Sequence, residues 1–389
     1  MIIQKMYKRI CGKISRSILQ RVLFYVQETV LRNDKNNDLN QVDKCFTPRK
    51  NDIHADPDKI RRIVTAYQKA ISVQTVSDEC FQVGNEWVCM YEKYMGSVMS
   101  ALKAGNINEL QEIYENFMRH PSSAGLHGMP ADMQKCYFSG TISLKYKKWY
   151  LYDSLHRINL WKGLLGDSAS LEQLDSPMIG NPYGYYIDGH FIKVCSDYQH
   201  YYATCINRMT SDNSETERRV IIELGGGFGG MAYYLSRDSK NTVYVDIDLP
   251  ENLALASFYL THALPEKKVF LYGEGELTAE TFKDYDIILL PNFEVKNIPT
   301  NSTELVFNSY SLAEMPENAI TCYVNELSRA LKPGGYFYHV NHTRESLVKA
   351  DDFGINKKNF VLLQKIPALW NAARNLLMDE HEYLYQKLK

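Results

Sequence analysis

At 389 residues the chain is longer than one compact core usually accommodates, so more than one structural unit is expected. Hydrophobic residues at 45% and charged residues at 23% fit a soluble globular protein, and a net charge of only −2 excludes a global field for nucleic acid or another polyanion. Eight cysteines without a single Cys-x-x-Cys spacing exclude a zinc knuckle or a disulfide scaffold and point to reduced thiols in a cytoplasm.

In chain order, residues 1–31 come first. Lys5, Lys8, Arg9, Lys13, Arg16 and Arg21 lie among apolar residues, and Glu28 is the only acid. The stretch lacks the apolar core and cleavage site of a secretory signal, and no run anywhere nears the ~18 apolar residues of a spanning helix. Two roles stand open for it: peripheral contact with an anionic inner membrane face, or a helix docked on its own protein or a partner subunit. Asn33 to Asp58, rich in Asn, Asp and Lys, reads as a linker or mobile loop and closes a first segment, 1–58.

Helical spacing of apolar residues follows over Ile60–Ala70, Tyr91–Phe117, Tyr146–Leu165 and Tyr198–Met209. Two irregular stretches interrupt it, Gly125–Gly140 and Ser176–Asp188, the second holding Gly180-Asn181-Pro182-Tyr183-Gly184. The polar run Thr210–Glu217 marks the end of this helix-rich unit, 59–215.

From Arg218 the texture changes. Short β-branched or aromatic runs at Val220–Ile222, Thr242–Ile247, Asp286–Leu290, Leu305–Phe307 and Gly335–Val340 read as buried strands. Helical stretches at Met231–Arg237, Asn252–Leu264, Thr278–Lys283 and Glu317–Leu331 separate most of them. Such alternation predicts an α/β unit, 216–389, with a parallel sheet and right-handed crossovers. Val269–Leu271 competes with Asp286–Leu290 for the third place in that sheet.

The turn Gly225-Gly226-Gly227-Phe228-Gly229-Gly230 follows the first strand and opens a helix. Glycines at this point let the backbone bend sharply and approach a ligand. The spacing also satisfies a dinucleotide fingerprint, so the turn alone does not choose between ligands. Two acids lean away from a dinucleotide. Glu223, just before the first glycine, suits an ammonium group and repels a diphosphate. Asp246 closes the second strand, where a carboxylate accepts ribose hydroxyls, and Asp248 is its rival in second place. Further on, Leu331-Lys332-Pro333-Gly334-Gly335 ends a helix and turns into a strand.

From Val220 to His342 these features resemble the class I S-adenosylmethionine-dependent methyltransferases. More narrowly, the chain resembles the bacterial sugar O-methyltransferases associated with surface-polysaccharide gene clusters. The resemblance rests on the glycine turn, on Tyr244-Val245-Asp246-Ile247-Asp248-Leu249-Pro250-Glu251, and on Asn308-Ser309-Tyr310-Ser311-Leu312-Ala313-Glu314-Met315. Tyr338-His339-Val340-Asn341 and Gly180-Asn181-Pro182-Tyr183-Gly184 complete it; it covers roughly Ser176 to His342 and none of the first 60 residues. It implies a Rossmann-like seven-stranded sheet with an antiparallel final hairpin from Phe360–Ile366 and Tyr383–Leu388. It also implies S-adenosyl-L-methionine as cofactor and a carbohydrate acceptor: a glycan, a nucleotide sugar or a lipid-linked sugar. The cofactor set expected on this basis is Glu223, Gly225, Gly226, Gly227, Phe228, Gly229, Asp246, Asp248, Asn292 and Asn308.

Methyl transfer to an alcohol is an in-line displacement that needs alignment, removal of the hydroxyl proton and exclusion of water. Histidine titrates in the right range for that base. His342 lies just past the fifth strand and Glu314 just past the fourth, both at the carboxyl edge where α/β sheets bind ligands. Either is a candidate base, with His342 preferred; His200 is a third, placed on a helix face. Asn181, Tyr183 and Arg157 are expected as a lid or acceptor wall, joined by Tyr310 and Asn341. No metal-ligand cluster is expected. The rival readings are a nicotinamide-dependent sugar oxidoreductase, for which a Tyr-x-x-x-Lys helix is missing, and a non-catalytic assembly subunit that keeps the cofactor fold.

Overall fold

A computed structural model describes residues 18, 21–47, 54–126, 142–211, 218–343, 348–355, 359–373 and 379–388. Ten strands are found among them. β1 (Gly184–Ile187) and β2 (His190–Lys193) form a separate hairpin. The other eight, β3 (Arg219–Leu224), β4 (Thr242–Asp248), β5 (Val269–Leu271), β6 (Ile287–Pro291), β7 (Thr303–Ser309), β8 (Leu331–His342), β9 (Phe360–Pro367) and β10 (Glu380–Lys387), make one sheet.

The strand order is β5-β6-β4-β3-β7-β8-β10-β9, and only β10 runs against the rest. The sheet therefore has eight strands where seven are expected. β6 holds the place beside β4, and three-residue β5 is an added edge. The chain leaves β3 first toward β4 and later resumes on its other side at β7. That reversal opens a crevice beyond the carboxyl ends of β3 and β7.

Alternation along the strands divides the core. Ile221, Tyr244, Leu305 and Phe307 face one apolar cluster, and Val220, Ile222, Val245 and Val306 face the other. The first cluster is continuous with the helices of the N-terminal half, Pro57–Gln74, Gly96–Ala104, Ile107–Glu115, Leu144–Leu165 and Ser196–Thr210. The N-terminal half is thus packed along one whole face of the sheet.

Three expectations change. Asn33–Asp58 is not a linker throughout: Leu39–Phe46 is a helix capped by Asp38, with Val42, Cys45 and Phe46 buried. Buried Arg119 ties that helix down by donating to the carbonyls of Cys45, Phe46 and Thr47, and also to those of Asn181 and Pro182. Tyr91–Phe117 is not one helix either. It breaks at Gly105, whose φ is 66°, and Asn106 caps the next segment. Within Ser176–Asp188 the chain enters the β1–β2 hairpin, whose Asp188-Gly189 turn has φ of 50° and 88°. That is the two-residue turn of a twisted hairpin, and the Asp-Gly pair signals it. Most of the expected Gly125–Gly140 and Thr210–Glu217 loops lies outside the described residues.

Candidate active site

The turn after β3 is shaped by the strand beside it. Gly225, Gly227 and Gly229 take φ of 80°, 63° and 87°, conformations costly for any side chain. A Cβ on Gly226 would lie 2.6 Å from both an Asp246 carboxylate oxygen and the Tyr244 hydroxyl. The N–H of Gly225 donates to the Ile247 carbonyl at 2.9 Å, that of Gly226 to Asp246 at 3.1 Å, and that of Gly227 to Asp248 at 3.0 Å. These donors are spent on β4 itself. The first three N–H groups of the turn are thus already paired and not held out toward a ligand.

Three acids surround it. Glu223 is buried and accepts from the Tyr244 hydroxyl at 2.6 Å. Burial pushes its carboxyl up to about 7; the Tyr244 hydrogen bond works against that and the neighbouring Asp248 charge adds to it. Burial likewise lifts Asp248 to about 6, opposed by donors from Asn252, Leu249 and Gly227. Asp246 is raised well above the usual carboxylate range by burial, with the Asp248 and Glu223 charges next in weight. Three acids strained toward neutrality in one spot are a poor setting for an anion and a good one for a cation.

A cavity of about 360 Å³ opens over this turn and runs across β3 and β7 toward β8. Glu223, Gly225, Gly226, Gly227 and Asp248 line one part, with Asn252 and Asn292 beyond them. Asp246 does not line it. It lies one step back from the end of β4, fully buried beneath Gly226, whereas Asp248 reaches the opening. Of the two acids, Asp248 and not the preferred Asp246 lines the cavity. Asn292 donates to the Phe81 carbonyl and the Tyr323 hydroxyl, both at 2.8 Å. The side-chain oxygens of Asn292, Asn252 and Gln199 are buried at the cavity and accept from no group among the described residues. Orphaned acceptors of this kind normally await a donor.

Phe228, Gly229 and Asn308, expected at the cofactor, stand outside the cavity lining. Phe228 packs against Phe117 and Tyr259, at 5.8 and 5.0 Å between ring centroids. Gly229 begins the helix Gly230–Asp238 against Leu260, where a Cβ would come within 2.9 Å. Asn308 donates to the Leu224 carbonyl at 2.8 Å and to Ser311 at 2.6 Å, and receives Asn341 at 2.8 Å. Asn308 and Asn341 thus brace the loop after β7 instead of meeting a ligand.

The other part of the cavity is lined by Arg157, Tyr198, Tyr310, Glu314, His342 and Asn371. Tyr310 opens the short turn Ser311–Glu314 at φ 64°, a strained conformation for a bulky residue. Its hydroxyl donates to Glu380 at 2.8 Å, its ring faces His342 at 5.0 Å, and it stacks on Tyr198. His342 Nδ1 lies 3.5 Å from the Glu380 carboxylate, an ion pair when the ring is protonated. Asn371 donates to Glu380 at 2.8 Å and accepts from Arg157 at 2.6 Å. Arg157 is buried beside Asp153 and Asp197, at 3.5 and 3.6 Å. His342 and Glu314 both reach the cavity.

The remaining expected residues lie elsewhere. Asn181 and Tyr183 are buried away from the cavity, Asn181 donating to Asn116 and Tyr183 lying under the Arg119 guanidinium, so neither forms an acceptor wall. His200 accepts from the Trp161 indole, and burial lowers it to about 4. Sequence inspection missed Glu380, Asn371, Tyr198 and Gln199. Their common signal is only negative: each is a polar or aromatic residue in a segment without a motif. His342, Asp379 and Glu380 also bring ligand-type atoms within 4.8 Å of one another, a grouping with metal-binding chemistry that was not expected.

The arrangement of strands is Rossmann-like, and the solved structures to which the chain has a partial likeness include several methyltransferases. The cyclase SpnF is 16% identical over 62% of this chain and 95% of that one, with a TM-score of 0.36. The N-methyltransferase NodS from Bradyrhizobium japonicum, solved with S-adenosylhomocysteine, is 11% identical over 60% and 99%, at 0.34. A methyltransferase from Aquifex aeolicus is 14% identical over 48% and 88%, at 0.30. No protein-family model and no curated protein matches the chain. At these identities the likeness concerns fold alone, and the chemistry below is drawn from the chain's own residues.

Proposed function

We propose that the chain is an S-adenosylmethionine-dependent O-methyltransferase acting on a sugar hydroxyl of a bacterial surface polysaccharide or its precursor. The observation that carries the cofactor assignment is the glycine turn, with its donors consumed by β4 and three buried acids around it. A diphosphate would meet carboxylates there, and the N–H groups of Gly225, Gly226 and Gly227 are already taken. An ammonium beside a sulfonium meets the charge it needs.

The cavity residues fit such a nucleoside. Glu223 would hold the ammonium, Asp248 with Asn252 would accept from the ribose, and Asn292 would accept from the adenine amino group. Gly226, which tolerates no Cβ, keeps the floor low. When bound, this group supplies an electrophilic methyl carbon on a positively charged sulfur. His342 takes the hydroxyl proton at the cavity end beyond β8, and Glu380 orients the ring and stabilises the imidazolium. Tyr310, Tyr198 and Arg157 then shape the acceptor wall, flat faces with polar rims that suit a sugar. The hydroxyl acceptor rests on the His342–Glu380 pair; the sugar rests on those faces and on the motif resemblance.

Two measurements test the proposal. Calorimetric titration should give tight binding of S-adenosylhomocysteine and none of NAD. Incubation with a labelled methyl donor and a panel of glycans, nucleotide sugars and lipid-linked sugars should yield an O-methylated product by mass spectrometry. Binding of NAD in preference to S-adenosylhomocysteine overturns the cofactor assignment. Methylation confined to amines or carbons overturns the acceptor.

A further inference from the structure

The described residues that open the chain carry a surface with no role in the cavity. Residues 21–30 form a helix whose inner side is held: Leu23 and Leu31 are buried, Phe24 meets Tyr152 edge-on at 6.2 Å, and Glu28 pairs with Lys148 at 3.3 Å. Its outer side is apolar. Ile18, Val22, Tyr25, Val26 and Val30 are between 48% and 73% exposed, at spacings that place them on one face of a helix. Packing to the helix Leu144–Leu165 fixes which side points out, so this stripe stays exposed in the folded chain.

Charge identifies what would cover it. Residues 1–32 hold seven lysines and arginines against one glutamate, six net positive charges in a chain whose total is −2. A protein partner of ordinary composition gives no reason for that segregation. An anionic lipid surface does: headgroups attract the basic residues while the valines and Tyr25 enter the boundary with the acyl chains. No helix among the described residues is long and apolar enough to cross a membrane. We infer that the apolar stripe of Ile18, Val22, Tyr25, Val26 and Val30 seats the protein on anionic phospholipid, to which the basic sequence at this end of the chain is attracted.

Full-length protein would be sedimented with vesicles of phosphatidylcholine alone and with vesicles in which roughly a quarter is phosphatidylglycerol. Binding to the anionic vesicles should exceed the neutral ones by about tenfold and fall as salt rises. The combined variant Val22→Ser, Val26→Ser, Val30→Ser should lose most of that binding while titrating S-adenosylhomocysteine like the parent. Its three positions are solvent-facing, so the fold has little to lose, and a circular dichroism spectrum checks it. Equal binding to both vesicle types, binding to neither, or undiminished binding by the variant overturns the inference. So does light scattering that finds a dimer split by the same substitutions, because the stripe would then face a second copy.

Discussion

The two parts of the cavity are built in opposite ways. The part proposed for the nucleoside comes mainly from short consecutive pieces at the ends of neighbouring strands: Glu223 to Gly227 at one, Asp248 to Asn252 at the next. The acceptor part is gathered from residues 157, 198, 310, 342, 371 and 380, which belong to two helices, two loops and the ends of two strands. One is dictated by backbone geometry and the other by side-chain packing between segments far apart in the chain. Substitutions should therefore separate them: damage on the nucleoside side appears in binding, and damage on the acceptor side appears in turnover.

The largest expected effect belongs to the acceptor side. His342→Gln should lower methyl transfer by ~100-fold or more with S-adenosylhomocysteine affinity unchanged. Glu380→Gln should cost less and displace the pH–rate profile, because it acts through His342. A Glu314→Gln variant that loses as much as His342→Gln would move the base to the loop after β7. On the nucleoside side, Asp248→Asn should weaken S-adenosylhomocysteine by about tenfold, because the ribose then meets a neutral amide in place of a carboxylate acceptor. Asp246→Asn should leave affinity nearly intact and show itself in thermal stability. The opposite ranking in calorimetry would restore Asp246 as the ribose ligand.

A subtler separation comes from pH. Glu223 has its carboxyl raised to about 7 and Asp248 to about 6, so both are protonated more readily when folded than when unfolded. Raised acids stabilise the fold fully below their unfolded values, and that contribution is lost as pH climbs through the folded ones. Stability of the ligand-free protein should thus decline from about pH 5 to about pH 7.5. Affinity for the ammonium-bearing nucleoside needs Glu223 ionised and should rise by about threefold between about pH 6.5 and about pH 7.5. The melting shift given by S-adenosylhomocysteine should consequently grow with pH; a constant shift would remove Glu223 from the ammonium. The smallest effect expected is that of chelation. Turnover that survives EDTA assigns His342 to proton transfer, and turnover that EDTA abolishes assigns His342, Asp379 and Glu380 to a divalent cation.

That contrast also explains what could be read from the chain. Strand runs such as Val220–Ile222 and the glycines after Leu224 impose local geometry, so the sheet, its crevice and the acids near the turn were legible. The choice between Asp246 and Asp248 was not, because it depends on how far β4 runs past the point where Gly226 covers it. Asn371 and Glu380 sit on either side of a stretch with no periodic pattern, and only the pairing of β10 with β8 brings Glu380 to His342. Asn181 and Tyr183 stood in a recognisable motif whose purpose is packing: they cover Arg119.

Arg119 sets a limit on how the chain can be trimmed. One guanidinium gathers carbonyls from 45–47 and from 181–182, so the opening segment and the hairpin region share a single buried cation. Deleting everything ahead of Ala55 would strip three of those acceptors from an ion sealed off from water. A shortened protein should aggregate or melt early even though the cavity lies elsewhere, and pairing the deletion with Arg119→Met should recover part of the loss.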